Sequence, residues 1–362
     1  MASSSAHTKP YSLATILVIV SCCTHLVLAA RELTPAGDDK AMRERHEKWM
    51  AEHGRTYKDS AEKARRFEVF RTNAHFIDSY NAAAGQGGKS GRPALVANKF
   101  ADLTKDEFSS MYLGQHGSIH RPASPVIETD FMYADVRLED IPASIDWREK
   151  GAVTRVKDQS DTCDCCWAFS AVAAVEGIHQ IRTHKLVSLS EQQLLDCSTG
   201  RNNRGCNLGD AEEAFRYIAL NAITKESAYL YEGNQSTCRS SGKHVAARIN
   251  GFQYVPPQNE TALLLAVAHQ PVSVALDGNN TEFKSWSGTG IYGAAGESCK
   301  NDLNHAMTIV GYGTDDNGTK YWLMKNSWGI GWADEGYVKM ARDVASNTGL
   351  CGLAMQASYP VA

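Results

Sequence analysis

The chain has 362 residues, 43% of them hydrophobic and 22% charged, a composition that excludes a predominantly disordered protein. Thirty-seven basic against 41 acidic residues leave a formal charge of −4, so no basic excess exists to draw phosphate backbones, and nucleic-acid binding is not expected. The length exceeds what one hydrophobic core usually organises and points to two units, or to one large domain with processed segments.

Residues 1–30 begin with polar residues and Lys9, run through an apolar stretch at 13–20, and end in Leu26-Val27-Leu28-Ala29-Ala30. The apolar core is too short to span a ~30 Å bilayer and small residues precede Arg31, which predicts a cleaved signal peptide. No other stretch reaches ~18 consecutive apolar residues, so no stable membrane anchor is expected. The cysteines fit this reading: Cys22 and Cys23 leave with the leader, and the other eight all follow residue 160. In an oxidising compartment such clustering favours disulfides over metal ligation, but six paired cysteines permit about 15 connectivities that spacing alone does not choose between. His116 and His120 form the one near-helical histidine pair, in a Gly/Pro/Ser-bearing stretch that reads as a solvated loop. No metal site is expected.

Residues 31 to 138 contain no cysteine. Glu62, Arg66, Phe70, Asn73, Ile77 and Asn81 recur at spacings of 4, 4, 3, 4 and 4, which at about 100° per residue places them all on one helix face. Any amphipathic helix of a bundle would show as much. A Gly/Lys/Ser/Pro-rich interval at 85–93 follows, and then Thr104 and Glu107 have the spacing of a capping box opening a short helix. Residues 115–140 read as a linker.

Cys166 opens a segment free of proline in which Ala168, Val172, Val175, Ile178 and Ile181 recur at spacings of 4, 3, 3 and 3. The pattern predicts a buried helix with Cys166 at its N-terminus, where the dipole and free N–H groups favour a thiolate over a thiol. A nucleophilic thiolate calls for a neighbouring imidazole. His179, His184, His244 and His269 have ordinary places on helices or in a polar loop. His305 instead opens an apolar, glycine-bearing run at 306–313, as a strand-edge residue facing a cleft would. A second run, Tyr321-Trp322-Leu323-Met324-Lys325, delivers Asn326.

These residues resemble the papain-like cysteine proteases, most closely the plant cathepsin-L-like members, over nearly the whole chain. The 62–81 pattern resembles that family's inhibitory pro-segment motif. Asn98, Phe100 and Asp102 match its second motif, with Val96 where a glycine is usual. The resemblance implies an α+β fold with a helical half, a β-barrel-like half and a cleft between them, preceded by a helical pro-domain. It divides the chain into a signal peptide at 1–30, a pro-segment and linker at 31–138, and a peptidase domain at 139–362. It implies Cys166 as nucleophile, His305 as its acid/base partner, Asn326 as the group orienting the imidazole, Gln159 as an oxyanion donor, and Trp328 as a shield over the Asn–His contact. Thioester acyl transfer follows, with no cofactor. The histidine and asparagine lie 139 and 160 residues after Cys166, the second slightly beyond the family's usual ~130–150, which a loop insertion at 314–319 would explain.

The resemblance further implies the disulfides Cys163–Cys206, Cys197–Cys238 and Cys299–Cys351, leaving Cys165 as a small buried thiol. It places Gly209, Asp210, Ala211, Ala275, Ala306, Gln356 and Trp328 in the substrate groove. Three alanines there predict a roomy apolar pocket for a bulky hydrophobic side chain. Asn234, Asn259, Asn279 and Asn317 begin glycosylation sequons. The expected partners are protein or peptide substrates, the chain's own pro-segment as inhibitor, and cystatin-type inhibitors; the expected state is a monomer in the vacuole, lysosome or extracellular space.

Three departures bear on activity. Ser160-Asp161-Thr162 is one residue longer than the usual segment after the glutamine, Asp164 replaces a glycine beside the nucleophile, and Leu208 replaces a glycine of the groove. Displacing Gln159 by 1 Å would cost about a hundredfold in rate, Asp164 would oppose the thiolate, and Leu208 would be strained if its φ were positive. The competing readings are a binding protein on the same fold with a spoiled groove and, more remotely, a disulfide-exchange protein using Cys163, Cys165 and Cys166.

Overall fold

Two separate apolar cores, one helical and one built on a sheet, organise the described part of the chain. The computed structural model describes residues 36–86, 95–114, 131–200, 202–240, 244–296 and 299–362; the leader, most of the 85–93 interval, and His116 and His120 lie outside these. The described residues divide into two compact units, one ending at Phe67 and the other running from Glu68 to Ala362. In the first, helix α1 (Ala36–Glu52) and the start of α2 (Ser60–Gln86) hold the His46 ring near Trp49, Tyr57 and Phe67 at centroid distances of 5.8, 6.1 and 5.5 Å.

In the second unit, the polar members of the 62–81 face make backbone contacts. Asn73 Nδ2 donates to the carbonyls of Ala101 and Leu103 at 2.8 and 3.0 Å, and Asn81 exchanges two 2.9 Å bonds with Leu95, while Ile77 is buried between them. Helix α3 (Lys105–Tyr112) opens with the capping box expected from Thr104 and Glu107, which satisfies two otherwise orphaned N–H groups. Val96 spends its N–H on Ser285 and turns its side chain to solvent. That is why the usual glycine is dispensable there. Residues 131–140, read as linker, are docked instead: Tyr133 stacks on His269 at 4.3 Å and donates to Gln270.

The helical core is built around α4 (Cys166–Thr183), with α5 (Glu191–Cys197) and α6 (Ala211–Asn221) packed on it. Behind α4 lies a buried ionic cluster. Lys157 Nζ reaches Glu191 at 2.7 Å, the Leu189 carbonyl at 2.9 Å and Glu176 at 3.2 Å; the Thr154 hydroxyl donates to Glu176 and accepts from Lys325.

The sheet comprises β1 (Ile145–Asp146), β2 (Gly251–Tyr254), β3 (Val272–Leu276), β4 (Ile291–Tyr292), β5 (His305–Thr314), β6 (Lys320–Lys325), β7 (Tyr337–Ala341) and β8 (Ala357–Val361). Its order is β2-β8-β3-β5-β6-β7-β4, with β1 on β5, and among the described residues only β4–β7 is parallel. Helices α7 (Glu260–His269) and α8 (Thr281–Lys284) contribute to its core. β1 crosses β5 so closely that a Cβ on Gly311 would lie 2.3 Å from the Ile145 carbonyl oxygen, which requires glycine at that point. The disulfides Cys163–Cys206, Cys197–Cys238 and Cys299–Cys351 are present.

Candidate active site

Two local rules bring Cys166 and His305 to one cleft. Cys166 is the first residue of α4, and His305 the first of β5. The helix is tied to the sheet by Ser170, whose hydroxyl donates to the Met307 carbonyl at 2.7 Å and meets the Ser273 hydroxyl at 2.6 Å. Antiparallel pairing of β5 with β6 sets Thr308 opposite Lys325, so the residue after β6, Asn326, arrives at the same end of the sheet as His305.

His305 Nε2 lies 2.8 Å from Asn326 Oδ1. That oxygen also accepts the Ser327 N–H at 2.8 Å, which fixes the orientation of the amide and makes Nε2 the protonated nitrogen. Nδ1 is therefore the basic nitrogen of the neutral ring, and it has no hydrogen-bond partner among the described residues. Trp328 stacks under the imidazole at 4.5 Å and 28°.

Burial lowers the His305 pKa to about 4 against the raising effect of Asn326. Burial also pushes the Cys166 thiol up to about 11; Asp164 adds to the rise, and backbone groups of Ala306, Trp167 and Gly114 oppose it. In this covered state burial works against the thiolate expected from the helix start, because it disfavours the charged form of both Cys166 and His305. The reason is one of magnitude: a helix terminus is worth about 0.3–2 kcal/mol, whereas a shift from 9.0 to about 11 corresponds to roughly 3 kcal/mol.

The cover is the end of α3. Gln159 Nε2 donates to the Tyr112 carbonyl at 3.4 Å and the Cys163 carbonyl at 3.3 Å, and Gly114 N donates to Asn304 O at 2.9 Å. Phe100, Phe108 and Tyr112 pack edge-on against Trp328 at 5.5, 5.2 and 6.3 Å. Trp328 therefore lies beneath the histidine with the aromatic rings of the cover over it, and is not among the residues lining the cleft in this covered state.

The cleft, about 590 Å³ with the space at its open mouth included, is lined by Cys166, His305, Gly209, Asp210, Ala211, Ala275, Ala306 and Gln356. A Cβ on Gly209 would come 2.4 Å from the Trp167 ring, so close approach rather than φ demands that glycine. Glu212 also lines the cleft and was missed: the three alanines suggested an apolar pocket, but the next residue of α6 turns a buried carboxyl toward Gln356, whose Nε2 donates to it at 3.1 Å. Burial, aided by Asp210, raises the Glu212 pKa to about 7. Only its adjacency to Ala211 could have signalled this.

Gln159, next to the insertion, is held by three hydrogen bonds. Its amide oxygen accepts Ser327 Oγ at 2.7 Å, its N–H reaches the Ser327 carbonyl at 2.8 Å, and its own carbonyl accepts Tyr231 Oη at 2.6 Å. The added residue is absorbed outward, with Ser160 at φ 64° and Thr162 Oγ1 donating to the Gly233 carbonyl at 2.8 Å. Leu208 does not adopt a positive φ, so it lines the cleft without backbone strain. Cys165 is a buried free thiol 3.1 Å from Tyr231 Oη, while Cys163 is already paired. Of the four sequon asparagines, Asn234, Asn259 and Asn317 are exposed and Asn279 is half-buried.

Residues 141–361 match the papain family of cysteine proteases, and residues 46–108 the cathepsin propeptide inhibitor domain (I29). The senescence-specific cysteine protease SAG39 of Oryza sativa subsp. japonica is 48% identical over 342 residues, 94% of this chain and 96% of that protein. SAG12, the senescence-specific cysteine protease of Arabidopsis thaliana, is 45% identical over 349 residues, covering 95% and 96%. Among solved structures, the recombinant stem bromelain precursor superposes with a TM-score of 0.78 at 41% identity, covering 89% of this chain and 99% of that one.

Proposed function

Since this chain belongs to the papain family of cysteine proteases and carries that family's propeptide inhibitor domain, we propose that Cys166 is the nucleophile, His305 its proton carrier, Asn326 the group that orients the ring, and Gln159 an oxyanion donor. The observation that carries the assignment is the 2.8 Å bond from His305 Nε2 to Asn326, which leaves the basic Nδ1 free in the cleft that also holds Cys166. With the cover removed, Cys166 passes its proton to Nδ1 and the thiolate attacks the peptide carbonyl. The resulting oxyanion accepts the N–H of Cys166 and the Nε2 hydrogen of Gln159. The imidazolium then protonates the leaving amine, and water, deprotonated by the same ring, hydrolyses the thioester.

The cover, the end of α3, belongs to the enzyme's own pro-segment at residues 31–138, and its Tyr112 carbonyl takes the Gln159 donor that the oxyanion would use. Cutting near residue 138 frees a peptidase domain of residues 139–362. Residues 1–30 direct the chain into the secretory pathway as a signal peptide and are then removed, and the enzyme acts in the vacuole, lysosome or extracellular space as a monomer open to cystatin-type inhibitors. Three disulfides support the oxidising route, and among the described residues no helix is long and apolar enough to cross a membrane.

The test is hydrolysis of fluorogenic dipeptides by the matured enzyme beside a Cys166→Ser control. A loss of at least about a thousandfold in kcat/KM is expected, together with one epoxide adduct per chain on Cys166 of the wild type alone. Equal rates from the two proteins would discard the assignment.

A further inference from the structure

One carboxyl in the cleft has no partner among the described residues. Asp164 is 8% exposed and lines the same cavity as Cys166. Its N–H donates to the Cys206 carbonyl at 3.0 Å, and the flanking Cys163 is joined to Cys206 by a disulfide, so the turn that carries it is held on both sides. Its side chain forms no ion pair and accepts no hydrogen bond among the described residues, and burial alone raises its pKa to about 7.

The other acids of the cleft are occupied. Asp210 Oδ1 caps the Glu213 N–H at 2.7 Å and its Oδ2 accepts Asn202 Nδ2 at 2.8 Å; Glu212 accepts Gln356. Among the described residues, Asp210 and Glu212 at the start of α6, Cys166 on α4 and His305 from β5 are the other titratable groups lining the cavity with Asp164, and Cys165 interacts with it from the same turn. None is a lysine or arginine. A buried carboxylate without a compensating charge is costly, and a cation brought to it restores what burial removed.

Resting on the assignment of Cys166 as nucleophile, we propose that Asp164 is a specificity-determining residue that selects a lysine or arginine side chain on the substrate residue whose carbonyl is attacked. Asp164 and Cys166 are two residues apart, at most about 7 Å between Cα atoms. A basic side chain on the acyl residue spans that distance. Leu208, which lines the same cavity, supplies an apolar wall for the methylene stem while the charged head meets the carboxylate. The substitutions that seemed to spoil the groove thus act together, one holding the charge and the other the stem. The alanine-walled part of the cleft, with Gln356 and Glu212, is left for the neighbouring substrate residue.

The experiment compares kcat/KM of the matured enzyme for two dipeptide substrates that differ only in arginine or the isosteric, neutral citrulline before the scissile bond. The wild type is expected to favour arginine by about tenfold or more. The preference is expected to shrink between about pH 7.5 and pH 4.5 as the carboxylate is protonated. In Asp164→Asn and Asp164→Gly the ratio is expected to fall within about twofold of unity, and reading a ratio cancels any general loss of rate. Absence of an arginine preference in the wild type, which needs no variant to fold, overturns the proposal. So does a preference that survives Asp164→Asn. Turnover of both substrates by Cys166→Ser at the wild-type rate would instead strike the nucleophile assignment, and the proposal would fall with it by a distinguishable route.

Discussion

The two sides of the Cys166–Thr183 helix bury charge in opposite ways. Behind it, Lys157 is met by Glu191 and Glu176, and Thr154 links Glu176 to Lys325. Burial alone would lower the Lys157 pKa, but the two glutamates outweigh it and the net shift is upward. In front, Asp164, His305 Nδ1 and Asn326 Nδ2 are buried with no partner among the described residues. There burial prevails, moving the histidine down and the aspartate and cysteine up. The lesson is that partnered burial fixes structure, whereas unpartnered burial leaves groups whose charge changes when a ligand, or the loss of a cover, alters their surroundings.

The comparison breaks most visibly at Lys157. Lys157→Met strands two glutamates and is expected to cost about 3–5 kcal/mol in urea unfolding; a cost under 1 kcal/mol would mean that the rear cluster does not behave as a paired system. Next comes Gln159→Ala in the matured enzyme, expected to lose about 10²–10³ in kcat with a smaller change in KM. A pure KM effect would remove Gln159 from the transition state. Asn326→Ala is expected to lower kcat about a hundredfold by letting the ring turn, and a melting temperature that drops in proportion would make it structural instead.

The smallest effect expected is on thiol titration. With its pKa raised to about 11 by burial and Asp164, Cys166 of the proform should react with iodoacetamide only as pH climbs toward that value, because the thiolate appears above it. The matured form should already react in the mildly acidic range. Asp164→Asn removes a like charge and should shift the proform's reactivity profile to lower pH by about half a unit. Proform and matured enzyme alkylating with the same pH profile would show that burial does not set the charge state of the pair.

The elements carrying the chemistry were legible because local signals mark them. A proline-free run with helical periodicity starts at Cys166, and an apolar run with glycines starts at His305; the structure begins a helix and a strand at those residues. The disulfide pairing was not legible from spacing and came from family resemblance. What escaped reading depends on distant segments. Tyr112 and Gly114, over 50 residues before the nucleophile, cover the cleft: the first takes the Gln159 donor, and the second lends Cys166 a backbone hydrogen bond. Glu212 reaches the cleft through a helix whose neighbours were judged by their alanines, and residues 131–140 are fixed by aromatic stacking on His269. The insertion at 160–162 looked disruptive because the reading could not see Thr162 fastened to Gly233 or Gln159 gripped by Ser327 and Tyr231.

The side-chain amide of Gln159, bonded to the Tyr112 carbonyl, serves two masters. In the oxyanion role proposed for it, any change that sharpens it as a hydrogen donor deepens the latch on the dormant precursor as well as speeding the mature catalyst. Restraint and power are then coupled at this residue, whereas the aromatic seam where Phe100 and Phe108 rest on Trp328 holds the cover without touching that donor.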